Sequence, residues 1–480
     1  MSIDEKLFEE KLAALERVRT WSPRVIAKLE NAVRSGDDYS LFRINPLKFA
    51  AEKSLPEDEA IDLFLNAAKL GLFDMNWELL CPACAQIVSS FSRLRAVHSH
   101  YHCDLCRVNF DTDLDDFVEV SFTVSRAVRD IRYHHPEELS AREYYFRYVQ
   151  SPVGLWGDGR PFVEYMEKYA VFVDYLSPGE TRDLDLDLKE GWVPGCDHLT
   201  SVGLLITVTG EPASAPQEAA LTLSNGSCVP DAITVRPGRV KLRLRNDNPE
   251  RASLCLFYEG VGVPSSAKLT FAHFLTGKRM LTTQTFRDLF RTETIQASGG
   301  LVVKDLVFVF TDIKGSTELY ERIGDLKAFA LVQQHFETLA RVVRRHRGAI
   351  IKTIGDAVMA TFMSPLDAVN ATLDMYRDIQ AFNRERGEHE IFLKAGVHRG
   401  YAIAVTLNDQ LDYFGQTVNI AARVQNLANA DEIYVTEEVY GHEGVRQALQ
   451  RLDVEPQSAR LKGISSSQQV YRVASGVAAA

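Results

Sequence analysis

The sequence predicts an α+β protein of several domains. Its 480 residues are too many for one core, and the apolar periodicity changes twice along the chain. Up to about residue 75 apolar residues recur near every 3.6 positions; from about Val118 they alternate; after Lys304 strands alternate with long helices.

Residues 1–76 read as a helical segment. Leu7, Leu12, Leu15 and Val18 form one stripe. Asn45 and Pro46 supply an N-cap and a first helical residue. Pro56 and the acids after it open a further helix with Ile61, Leu63, Phe64, Ala67 and Leu70 on its buried side, closed by Gly71. With the apolar run 77–80 behind them, these helices make a winged-helix-like pattern. Residues 113–275 read as a mainly antiparallel β domain, compatible with a β-sandwich. Val118–Val124 alternates as a half-buried strand should, as does 240–245, and 253–257 is a continuous apolar run. Ser177-Pro178-Gly179 and Arg236-Pro237-Gly238 are turns, and a helical piece interrupts at 141–149. Residues 276–303 read as a connector closing with Ser298-Gly299-Gly300.

The last segment, 304–475, begins with a strand at 304–310. A helix at 325–346 carries Leu326, Phe329, Val332, Phe336, Leu339 and Val343, with Gly348 as its C-cap. A hairpin at 350–354 and 358–362 turns at Gly355-Asp356. Helix 366–386, strand 391–397, helix 417–429 and strand 432–436 follow.

A net charge of −11 argues against a general nucleic-acid binder. The charged stretch from Met1 to Lys11 does not fit a secretory signal. No apolar run approaches the ~18 residues a membrane span needs, and Val202–Val208 reads as a strand. A cytoplasmic location without membrane contact is therefore expected. Cys81-x2-Cys84 and Cys103-x2-Cys106 have zinc-ribbon spacing, so 77–112 is expected to hold a structural Zn²⁺ on four thiolates. His98, His100 and His102 lie in the intervening loop but are not needed as ligands. Cys196, Cys228 and Cys255 read as core residues.

Asp312 follows a buried strand and precedes Gly315, Ser316 and Thr317, where a tight turn opens a helix. Free N–H groups there suit phosphate, and a carboxylate there suits a divalent cation shared with it. If the hairpin pairs beside that strand, Asp312 and Asp356 could share two metals. Taken singly, each aspartate is better explained as a cap or a turn residue. What outweighs that is their company: Lys352 four residues before Asp356, Asp412 ahead of Gly415, Asn419 and Arg423 on one helical face, and Leu461-Lys462-Gly463 near the end.

In order and spacing these motifs resemble the class III nucleotidyl cyclases over nearly all of 304–473. The resemblance implies a ferredoxin-like palm domain that pairs head to tail as a homodimer. It implies two Mg²⁺ or Mn²⁺ ions held by Asp312, Asp356 and the Ile313 carbonyl. Lys352 and Asp412 would read the purine as adenine, making ATP the substrate and cyclic AMP the product. Asn419 would orient the ribose, Arg423 would stabilise charge on the α-phosphate, and Lys462 would neutralise the terminal phosphates. In one respect the chain departs from the pattern: after His398-Arg399-Gly400 the hairpin to Gln410 is short, with Val405 where a glycine is common. The N-terminal half also resembles the regulatory region of some bacterial class III cyclases and implies an unknown regulatory ligand or protein. The competing readings are an inactive cyclase-like nucleotide-binding module and a zinc- or DNA-binding regulator.

Overall fold

The computed structural model of the chain describes residues 3–112, 114–260, 269–296, 300–387 and 391–474. The Ser298-Gly299 turn and residue 475 lie outside them. The five consecutive segments expected above are grouped into two compact units. One takes Arg93–Ser99, Asp113–Asp116 and Thr276–Ala480; the other takes the rest.

In the N-terminal unit four helices, Glu5–Val18, Val25–Ser35, Pro46–Lys53 and Glu57–Lys69, precede the first strand. Asn45 Oδ1 accepts the Leu47 N–H at 2.9 Å, so the predicted cap forms. The strand Phe73–Leu80 is central in a three-stranded sheet, with Ile87–Phe91 and Val118–Val124 antiparallel on either side. Val118–Val124 is buried throughout rather than half-buried. Its polar positions face a polar interior: Glu119 lies opposite Glu78 across the ladder, the Ser151 hydroxyl donates to Glu119 at 3.0 Å, and Arg43 Nε lies 2.5 Å from Glu78.

Two further sheets share one apolar core that includes Leu204, Ile206, Leu221, Leu242 and Leu254. The first orders Ala232–Val235, Val202–Val208, Gly191–Asp197, Ala252–Phe257 and Ala170–Leu176; the second orders Ser227–Val229, Gln217–Ser224, Gly238–Asn246 and Thr181–Leu188. Pairing is mainly antiparallel, but Val202–Val208 with Ala232–Val235 and Gln217–Ser224 with Gly238–Asn246 run parallel. The Gly238–Asn246 strand alternates buried and exposed as its sequence predicts. The helical interruption is a short helix, Ala141–Glu143, continued by a π-helix, Tyr144–Val149.

In the C-terminal unit a mixed sheet runs in the order Ala349–Ile354, Ala357–Phe362, Leu301–Ile313, Leu393–Leu407, Glu432–Thr436, Gln468–Ala474, Val454–Ala459, with Gln410–Phe414 also paired to Leu393–Leu407. Its core joins Val307, Val309 and Val397 of the sheet to Leu339 and Val343 of helix Asp325–Arg345 and to Val369 and Tyr376 of helix Pro365–Arg386.

Four expectations are corrected. The 391–397 strand is far longer, Leu393–Leu407, because it continues past Gly400 into the hairpin. That hairpin closes with Asn408 and Asp409, both at positive φ, as a tight two-residue turn matched to strand twist requires. Helix 417–429 ends at Gln425. The C-cap of the 325–345 helix is His346, not Gly348; Gly348 is required instead because a Cβ there would lie 2.4 Å from the Phe362 ring. Leu326 and Phe329, at the start of the same helix, stand exposed rather than in the core.

Two short segments from the first third of the chain are built into this unit. Leu94 donates its N–H to Glu293 Oε2 at 2.8 Å. Lys278 Nζ reaches Asp115 Oδ1 at 2.5 Å and the Lys304 carbonyl at 2.6 Å, while Lys304 N–H donates to Asp115 Oδ2 at 2.6 Å. Among the described residues no helix is long and apolar enough to cross a membrane.

Candidate active site

Asp312 stands at the end of the Leu301–Ile313 strand. Gly315, at φ +73°, turns the chain into helix Ser316–Ile323. Asp356 follows Gly355, at φ +65°, in the turn of the neighbouring hairpin, whose second strand pairs Val358 with Thr311. This register brings the two carboxylates into each other's field. Burial, and then the Asp312 charge, raises the Asp356 pKa from its ordinary value, while the Ser316 hydroxyl works against that rise. Asp356 Oδ2 is buried with no hydrogen-bond partner. Ile313 is buried, and Gly315 and Thr317 are exposed at the turn.

Lys352, on the outer strand of the hairpin, and Asp412, on Gln410–Phe414, are drawn together. Lys352 Nζ lies 2.5 Å from Asp412 Oδ2, and Asp412 Oδ1 accepts the Tyr413 N–H at 2.8 Å. Asn419 and Arg423 project into solvent from helix Gln416–Gln425, and Lys462 is exposed in a turn between the last two strands. Among the described residues no hydrogen bond or ion pair joins these three to the aspartates or to the Lys352–Asp412 pair.

The sequence reading missed Lys394. It faces Asp312 across the ladder, its Nζ 2.7 Å from Asp312 Oδ2. Only the register between two strands 80 residues apart reveals it. His335 was missed too. It is fully buried in helix Asp325–Arg345 with both ring nitrogens unpartnered, and burial pushes its pKa down to about 4, so the ring stays neutral.

In the N-terminal unit the sulfurs of Cys81, Cys84, Cys103 and Cys106 all lie within 4.8 Å of one another, and none is in a disulfide. Contacts with the neighbouring thiols pull Cys81 down and push Cys84 and Cys106 up. Four sulfurs this close cannot all ionise unaided, and a soft divalent cation is what would permit it. His100 and His102 point elsewhere, to Asp111 at 2.5 Å and Asn109 at 2.8 Å. Cys196, Cys228 and Cys255 are buried.

A strand-borne carboxylate thus stands beside a second one on a hairpin, with a Lys–Asp pair on strands outside them. The family model described as "Adenylate and Guanylate cyclase catalytic domain" matches residues 303–471. The model described as "Family of unknown function (DUF5939)" matches residues 8–288, more than half of the sequence, and the chain belongs to that family. It is similar to adenylate cyclase 2 of Rhizobium meliloti, 31% identical over 138 residues that cover 26% of this chain and 38% of the relative. It is also similar to an adenylate cyclase of Anabaena cylindrica, 26% identical over 190 residues, covering 36% and 38%. The chain thus spans less than two fifths of the length of these relatives. The solved adenylyl cyclase CyaB from P. aeruginosa is 24% identical, covering 35% of this chain and 93% of that one, at a TM-score of 0.32.

Proposed function

We propose that the protein is an adenylate cyclase that converts ATP to 3′,5′-cyclic AMP and pyrophosphate, at sites shared across a homodimer and under control of the N-terminal half. The observation that carries this reading is the Lys352–Asp412 pair on strands flanking the two aspartates. An ammonium donor and a carboxylate acceptor side by side suit adenine, whose N1 accepts and whose 6-amino group donates. Guanine presents the opposite pattern.

Asp312 and Asp356 fit a divalent cation of the Mg²⁺ or Mn²⁺ kind. Their donors are hard oxygens, Asp356 Oδ2 has no other partner, and the Asp312 charge burdens Asp356. Bound there, such ions would acidify the ribose 3′-hydroxyl and offset polyphosphate charge. The backbone N–H groups opening helix Ser316–Ile323, at Ser316 and Thr317, face phosphate with the favourable end of the helix dipole. Lys394 holds a positive charge at the same place. Asn419 orients the ribose, Arg423 stabilises charge gathering on the α-phosphate, and Lys462 neutralises the terminal phosphates. Exposure of these three in a single chain supports a site completed by a second copy. So do the exposed apolar residues Leu326, Phe329, Tyr401 and Phe414, which such a pairing would cover. The four-cysteine cluster would hold one structural Zn²⁺.

The test is production of cyclic AMP and pyrophosphate from ATP by the pure full-length chain with Mg²⁺ or Mn²⁺. Asp312→Ala and Asp356→Ala should each abolish turnover while leaving the thermal melt in place. Inactive Asp312→Ala and Lys352→Ala chains, when mixed, should regain activity at one hybrid site. Wild-type turnover in either aspartate variant would refute the assignment.

A further inference from the structure

The stretch that the sequence reads as a mere connector grips both strands of the base-reading pair. Helix Gln284–Leu289 lies in the catalytic unit, anchored by the fully buried Phe286. Gln284 Oε1 accepts the Ile350 N–H at 2.7 Å. Between Ile350 and Lys352 the strand register shifts by a bulge, a device that re-aims the side chain that follows. Arg287 Nη1 donates to the Leu411 carbonyl at 2.9 Å, one residue before Asp412, and its guanidinium lies 5.5 Å from the Tyr413 ring centre, one residue after. The helix is itself fixed: Arg287 Nε donates to the Leu281 carbonyl at 2.9 Å, Gln284 Nε2 donates to Asp288 at 2.9 Å, and Arg344 reaches Asp288 at 2.6 Å. One short helix thus holds the backbone beside Lys352 with one side chain and the backbone beside Asp412 with another.

We propose that Gln284 and Arg287 are positioning residues for base selection, setting the spacing of the Lys352 ammonium and the Asp412 carboxylate against the purine edge. This rests on the cyclase reading of the same site. Neither side chain touches the base; each acts through a main-chain group of the strand it holds. Discrimination between ATP and GTP depends on meeting two groups of fixed separation at once, so loosening either strand erodes selectivity before it erodes chemistry.

The experiment uses the full-length chain with Arg287→Ala, Arg287→Lys, Gln284→Ala and Gln284→Leu. Arg287→Ala and Gln284→Ala should each lower the ATP-to-GTP ratio of kcat/KM roughly tenfold, with the KM for ATP rising more than kcat falls. Arg287→Lys, which can still donate to the Leu411 carbonyl, should recover part of the ratio. In nucleotide binding, which the inactive Lys352→Ala chain still permits, the Arg287→Ala effect on the ATP-to-GTP affinity ratio should largely disappear when the two substitutions are combined, because both act on one pair. A merely structural role would lower the melting temperature or total activity and leave the ratio at its wild-type value; that result would overturn the proposal. Should Arg287→Ala fail to fold, Arg287→Lys and Gln284→Leu carry the same comparison. Binding of fluorescent ATP and GTP analogues, measured in parallel, reads base choice without turnover. A chain that binds but does not cyclise would sink the cyclase reading and still decide this one.

Discussion

Asp312 and Asp356 show what single residues disclose and what they withhold. Each is explained in isolation by a cap or a turn, and only their spacing relative to Lys352, Asp412, Asn419 and Arg423 marked them. The structure adds the pairing of Lys352 with Asp412 at 2.5 Å and of Lys394 with Asp312 at 2.7 Å. The motifs singled out Lys352 and Asp412 but not their mutual contact, and they were silent on Lys394, because a lysine in an apolar strand carries no local signal of what it faces. If Lys352 and Asp412 read the base, GTP leaves a donor against a donor and an acceptor against an acceptor, each mismatch costing roughly 1–3 kcal/mol. Lys352→Glu with Asp412→Cys is therefore expected to erase ATP preference in kcat/KM, with little gain for GTP because the pocket shape is unchanged. Retained preference would remove these two residues from base recognition. Asn419→Ala and Arg423→Ala are expected to lower kcat more than they raise KM, as loss of transition-state contacts does; steady-state kinetics on ATP decides it.

Among elements, the alternating pattern foretold burial in one strand and misled in another, while the continuous apolar run at 253–257 is a fully buried strand. Gly238–Asn246 alternates in sequence and in burial alike. Val118–Val124 alternates in sequence yet is buried throughout, because Arg43, Glu78 and Ser151 build a polar interior that local periodicity cannot announce. That interior has a measurable signature. Burial, and then the facing Glu78, pushes the Glu119 carboxyl up to about 8 from an ordinary 4.5. The folded chain thus holds this proton more tightly than the unfolded one. The associated stability is fully present below about pH 4.5 and drains away as pH rises through about 8. Glu119→Gln, which keeps a hydrogen-bonding group for Ser151 and cannot ionise, is expected to flatten that decline in thermal melts taken between about pH 6 and 9. A variant whose melts fall as steeply as wild type would place the alkaline loss elsewhere. The hairpin from Leu393 to Phe414 was the opposite case. Its departure from the family pattern was visible, but its outcome, one unbroken strand and a two-residue turn, needed the positive φ of Asn408 and Asp409.

For the molecule as a whole, the N-terminal half supplies more than a domain in series. The chain is expected to carry about one zinc per copy, measured by elemental analysis of protein prepared without chelator. Cys84→Ser should lose it and destabilise the fold near the cluster, since one missing thiolate leaves three crowded sulfurs in a buried setting. Zinc content unchanged in that variant would assign the cysteines a purely packing role. Changes in periodicity suggested five consecutive segments, and they carried no sign of which segments share a folding unit. Nothing in the composition of Arg93–Ser99 or Asp113–Asp116 sets them apart from their neighbours, and it is Glu293, Lys278 and Lys304 that claim them. The consequence falls on where the chain can be cut. A gene fragment starting near residue 298 would encode the whole active-site motif set and still lack two of the three strands of sequence from which its own folding unit is woven. It would leave Lys304 without Asp115 and Ile350 without Gln284. The boundary near residue 298 is thus a cut through one folding unit rather than between two, and a 298–480 fragment should melt well below the same region in the intact chain.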